Sequence, residues 1–132
     1  MNIPNRKTIY FFAGLLPIIV VYVFYKVYLL DFIDYYLGVS RLTKHIYVFI
    51  CILAVYGIGT FCLQKYTVPW MMLIWHFLHV LTISFLVILG LYDRYLQPLS
   101  FQLKDIAITL NELLISPTLY VSVVILNLGL KK

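Results

Sequence analysis

The stretch PWMMLIWHFLHVLTISFLVILG, from Pro69 to Gly90, contains no Asp, Glu, Lys or Arg. Coiled into a helix at ~1.5 Å per residue it is about 33 Å long, enough to cross a hydrocarbon core of ~30 Å. Within it stand His76 and His79, one helical turn apart. Whether these two bind something, or only satisfy hydrogen bonds inside a bundle, decides whether the protein does chemistry.

The rest of the chain has the same character. Of 132 residues, 64% are hydrophobic and 11% are charged, and the mean hydropathy is +0.98. A soluble domain carries about a quarter of its residues as charges, because its surface must face water. This composition therefore predicts an all-α, polytopic integral membrane protein, a single membrane domain over residues 1–132. The net charge of +5 comes from ten scattered Lys and Arg. They form no clustered face of the kind that binds phosphate backbones, so nucleic acid is excluded as a partner. Their expected role is to anchor and orient helices in the lipid bilayer.

Four spans are predicted, over residues 9–30, 45–63, 69–91 and 106–130. The first, IYFFAGLLPIIVVYVFYKVYLL, follows Arg6 and Lys7 and carries Pro17 inside it. It resembles a signal peptide in its first half, but no small-residue cleavage site follows, so it is read as a retained span. Lys26 lies near its end, where the stem can reach the headgroups. Tyr22, Tyr25, Tyr28, Tyr35 and Tyr36 crowd the same end as an interfacial belt. The connection DFIDYYLGVSRLTK contains Gly38 and Ser40 as helix breakers. Span two carries Ala54, Gly57, Gly59 and Thr60, small residues that let a neighbouring helix approach closely, with packing expected through Ala54, Gly57 and Thr60. The short link QKYTVP makes spans two and three antiparallel neighbours, and Pro69 opens span three at a favoured first-turn position. Cys51 and Cys62, on one helix and roughly 16 Å apart, cannot bond to each other.

The last third has two readings. In LSFQLKDIAITLNELLISP, the residues Leu99, Leu103, Ile106, Leu110, Leu113 and Leu114 share one face. Gln102, Asp105, Thr109, Glu112 and Ser116 share the other. The favoured reading is one span from Ile106 to Leu130 that carries Glu112 into the bilayer. The alternative is an amphipathic interfacial helix before a short final segment broken at Pro117.

The candidate polar intramembrane site is His76, His79 and Glu112. One histidine could ligate haem or line a quinone pocket, the pair could relay protons, or both could hold a metal with Glu112 as third ligand. Against these, two histidines on one helix cannot ligate opposite faces of one haem, and HFLH is not the H-E-x-x-H of hydrolytic zinc helices. No metal site and no catalytic residue is therefore assigned. The simplest account has both imidazoles hydrogen-bonded across the bundle, or facing the interface beside Trp70 and Trp75. A lone carboxylate at Glu112 costs about 2–3 kcal/mol in the membrane, so it needs a partner, with His76, His79, Lys26 or Arg94 as candidates. Asp93 and Arg94, beside Tyr92 and Tyr95, are read as an anchoring turn at the membrane edge broken by Pro98.

The expected function is a small non-catalytic membrane subunit or assembly factor, whose partners are other membrane subunits or further copies of itself. The competing class is a transporter, proton relay or redox carrier built on the span-three histidines. Both ends of the chain are expected on the cytoplasmic side. Arg6, Lys7, Lys65, Lys131 and Lys132 would lie there, against Arg41, Lys44, Arg94 and Lys104 opposite.

Overall fold

The computed structural model describes residues 5–28, 38, 40–65 and 68–130. Five helices follow in chain order: α1 Arg6–Phe24, α2 Arg41–Gln64, α3 Pro69–Tyr95, α4 Phe101–Ile115 and α5 Pro117–Leu130. No strand occurs among the described residues. Three helices are long and apolar enough to cross a membrane, with α1 counted through Tyr28, and α4 with α5 makes a fourth if that bent pair is one span. Asp31, Asp34, Tyr35 and Tyr36 lie outside the described residues.

Local chemistry explains where the helices start and stop. Gly38 takes a φ of 53°, a left-handed conformation that glycine adopts without a Cβ clash. Ser40 then caps α2, its Oγ accepting from the Thr43 amide at 3.3 Å. Pro69 occupies the first turn of α3, where its missing N–H costs nothing. Ser100 caps α4 by accepting from the Leu103 amide at 3.4 Å. The connection from α3 to α4 is held by Asp93, whose Oδ1 accepts from the Leu99 amide at 2.9 Å. Beyond Phe24, α1 continues through Tyr25–Tyr28 as a wider π-helical turn.

The stretch expected as one span from Ile106 to Leu130 is broken at Ser116, where α4 and α5 bend by 57°, and the pair is long and apolar enough to cross a membrane only if taken together as one bent span. Proline clashes with an α-helical residue before it, and Ser116 is accordingly extended, with φ −68° and ψ 150°. The Ser116 amide still donates to the Glu112 carbonyl at 2.9 Å, which closes α4. The break falls at Pro117, and along α4 Leu103, Leu110 and Leu114 are half-buried or buried while Gln102, Asp105 and Thr109 are exposed, as the two-faced pattern expects. Ile106 and Leu113 are 46% and 45% exposed, while Leu114 and Ile115 are buried.

Helices α1, α2 and α3 run antiparallel in sequence. Lys65 lies over the Tyr10 ring and Gly14 packs beside Cys62, so α2 descends where α1 rises. Thr60 meets Trp75 while Arg41 faces Asp93, so α3 reverses α2. The core gathers Ile18 and Tyr25 of α1, Val55 and Leu63 of α2, Met71 and Trp75 of α3, and Tyr120 of α5. Tyr120 fastens α5 to α1, its hydroxyl donating to the Phe11 carbonyl at 3.3 Å. Gly14 makes that approach possible, because a Cβ there would collide with the Tyr120 phenol. The outer surface is apolar too, with Leu16, Val20, Leu73 and Phe77 each exposed. Such a surface is at home in lipid and costly in water.

Candidate functional site

The polar residues in the middle of the bundle belong to two facing helices. From α3 come Trp75, His76 and His79, and from α2 come Tyr56, Gly59 and Thr60. Trp75 is fully buried. Its indole lies where a Cβ on Gly59 would stand, so that glycine is the notch that admits it. The indole Nε1 then donates to Thr60 Oγ1 at 3.1 Å. Trp75 lies in the core and not at an interface beside Trp70.

His79 packs on this tryptophan, ring centres 4.1 Å apart, and is 1% exposed. Its Nδ1 lies 2.9 Å from the Trp75 carbonyl, one turn back on the same helix. A carbonyl only accepts, so Nδ1 carries the hydrogen and Nε2 of the neutral ring is the bare nitrogen. That Nε2 is buried and has no hydrogen-bond partner among the described residues. His76 is half-buried, with Nδ1 2.5 Å from the Tyr56 hydroxyl. The Tyr56 ring contacts both imidazoles, with centres 5.5 Å from His76 and 5.1 Å from His79. Among the described residues, no hydrogen bond continues from Tyr56 to His79, so the two histidines are joined by ring packing alone.

Glu112 is elsewhere. It pairs with Lys26, the π-turn lysine of α1, and not with either histidine. The candidate trio of His76, His79 and Glu112 is therefore split by the fold. Of the partners open to Glu112, the chain uses the one on the facing helix at the same depth. Among the described residues no group of three His, Cys, Asp or Glu side chains is placed to hold a metal. A haem or quinone at His79 would have to reach an Nε2 that is buried, on a ring packed against Trp75 and Tyr56. Two grooves, of about 680 and 400 Å³, are lined by neither His76 nor His79.

Of the packing face expected at Ala54, Gly57 and Thr60, Thr60 meets Trp75 of α3 within this chain. A Cβ on Gly57 would meet nothing within 4 Å, whereas Gly59 and Gly14 are tightly filled. Residues two apart on a helix point about 200° apart, so the buried face of α2 runs through Val55, Gly59 and Cys62. Thr60 does contribute, as an acceptor rather than as a small side chain. Lys26 is half-buried rather than freely snorkelling, with Nζ 6.0 Å from the centre of the Tyr22 ring. At the other end of α3, Asp93 faces Arg41 at 3.8 Å, and the Arg94 guanidinium lies 5.8 Å from the Tyr95 ring centre. Cys51 and Cys62 are free and buried.

Sequence reasoning missed Tyr56 and Arg41 as site residues, and it named Gly59 as a small residue without singling it out from Gly57. Tyr56 had a readable signal, since it sits mid-span and not at an end, where an aromatic belt would place it. Comparison with protein families, characterised proteins and solved structures finds no match for this chain.

Proposed function

We propose that this chain is a small multi-pass membrane protein that acts as a non-catalytic subunit or assembly factor of a larger membrane complex, with both ends on the cytoplasmic side. The observation that carries this reading is how its intramembrane polar groups are spent. Thr60 holds Trp75, Tyr56 holds His76, Lys26 holds Glu112, and Tyr120 holds the Phe11 carbonyl. Each of these contacts fastens one helix to another, which is what interhelical polar groups do in a structural bundle. The apolar outer faces are then available to lipid and to the spans of other subunits.

A second reading has one specific observation in its favour. The bare Nε2 of His79 is a buried acceptor without a partner, and an intramembrane ionisable group is a functional candidate by default. It supports a redox carrier or proton relay, with haem or quinone as the group concerned. The two readings separate in one experiment. Gln can replace one donor or acceptor of an imidazole but is a poor metal ligand. Under the structural reading, His76→Gln and His79→Gln remain folded and retain the proteins that co-purify after mild detergent extraction. His76→Gln loses about 0.6 kcal/mol, the average for a hydrogen bond between membrane helices, while His79→Gln gives up a bond within its own helix. A visible absorption band in the purified protein that disappears in a well-folded His79→Gln variant would replace the subunit reading with the redox one.

A further inference from the structure

Away from the histidines, the α2–α3 pair opens into a groove of about 680 Å³, within the usual range of about 300–1,000 Å³ for ligand pockets. One wall is α2 from Arg41 to Ile52, the other is α3 from Ile83 to Arg94, and Ala107 and Asn111 of α4 line it as well. At ~1.5 Å per residue each wall is roughly 16 Å long, half the ~30 Å thickness of a bilayer core.

Its polarity is divided by depth. The ionisable groups all lie at the outer end, where α2 begins and α3 finishes: Arg41, His45, Asp93 and Arg94. Below them the walls are Phe49, Ile52, Leu86 and their apolar neighbours, with Asn111 on the α4 side. Asp93 is already committed, accepting from the Leu99 amide at 2.9 Å and facing Arg41 at 3.8 Å. Two guanidiniums against one engaged carboxylate leave the mouth cationic. The groove ends deeper in the bundle, where α2 and α3 close on each other through Tyr56–His76 and Thr60–Trp75.

We propose that this groove seats one anionic phospholipid from the leaflet at that edge. Its phosphate is held by Arg41 and Arg94, and an acyl chain lies along α2 and α3 as far as Ile52 and Ile83. Length and charge both select this occupant. A transmembrane helix from a partner needs a seam along the whole bilayer thickness, and the α2–α3 contact closes this one halfway. A neutral apolar molecule would leave the guanidiniums unused. Guanidinium presents a planar fork of N–H donors that matches phosphate oxygens. This inference does not depend on the subunit reading.

The test uses the full chain purified in detergent, with binding followed by native mass spectrometry and thermal unfolding. The probes are phosphatidylglycerol, phosphatidylcholine with the same acyl chains, and inorganic phosphate. Phosphatidylglycerol should bind about tenfold more tightly than phosphatidylcholine, since each nearby cation adds severalfold for an anionic headgroup. R41Q/R94Q should abolish that preference, R41K/R94K should retain part of it, and Leu86→Trp should weaken both lipids by filling the groove. Lys65→Gln, at the far end of α2, should change nothing. Equal affinity for the two lipids would overturn the proposal, as would an equal loss in Lys65→Gln. So would phosphate alone reproducing the stabilisation, or a Leu86→Cys variant crosslinking to a second copy in place of lipid binding. If R41Q/R94Q fails to fold, Leu86→Trp and the lysine variant still decide, because unaltered phosphatidylglycerol binding in Leu86→Trp excludes the groove.

Discussion

Gly59 and Trp75 illustrate how a single missing Cβ shapes this protein. The indole fills the place of a side chain on α2, so its Nε1 reaches Thr60 at 3.1 Å and its ring carries His79 at 4.1 Å. In a bilayer the hydrophobic effect does not drive helices together, and close packing between small and large residues replaces it. Gly59→Val should therefore cost about 1–3 kcal/mol, the usual range for overpacking a core, and reduce folded yield in detergent. Gly57→Val should leave both yield and unfolding temperature unchanged, since no heavy atom lies within 4 Å of its Cβ position. Equal tolerance at the two positions, measured by thermal unfolding in detergent, would contradict this rotation of α2. The sequence Gly57–Ile58–Gly59 offered both glycines, and nothing local distinguishes the one facing a neighbour.

At the scale of elements, the break between α4 and α5 is the main departure from a simple four-helix pattern. Pro117 forces Ser116 into the extended region, and the 57° bend sends α5 back against α1, where Tyr120 is anchored. Pro117→Ala removes that constraint. Spin labels at the exposed positions Thr109 and Leu126 should then move apart in a pulsed distance measurement, as the two helices approach a common axis. An unchanged distance would assign the bend to the Tyr120 contact instead. The ion pair between Lys26 and Glu112 joins α1 to α4. Either Lys26→Glu or Glu112→Lys alone places like charges together and should lower the unfolding temperature. The double exchange should recover most of the loss, because the same pair is rebuilt in reverse. If the double variant is no better than the singles, the two side chains are not energetically coupled.

For the whole molecule, Asn5, Lys7 and Phe11 line one groove together with Val124, Asn127 and Leu128, so the two ends of the described chain lie at the same end of the bundle. The proposed topology follows from this arrangement with four crossings. The cation balance, five residues against four, leans toward placing that end in the cytoplasm. Reporter fusions after Lys132 and within the Gly38–Lys44 segment should report opposite sides of the membrane. The same side for both would remove either a crossing or the proposed role of α1 as a span.

The all-helical class, the three long apolar helices and most of their start and stop signals were legible in the sequence. Hydropathy over a window, a proline at position 69 or 117 and the Gly38 and Ser40 breakers act locally, so no tertiary information is needed to read them. The site was legible only as a pair of histidines. What the tertiary structure decided was phase: which side of each helix faces which neighbour. An amphipathic helix in water announces its buried face by where its polar residues lie. The three long helices are apolar around nearly their whole circumference, so the sequence marks no such face on them. Contacts between residues far apart in the chain set the rotation instead. That rotation put Gly59 under Trp75, gave Glu112 to Lys26 rather than to the histidines, locked the tautomer of His79, and brought Arg41 and Arg94 to the mouth of one groove.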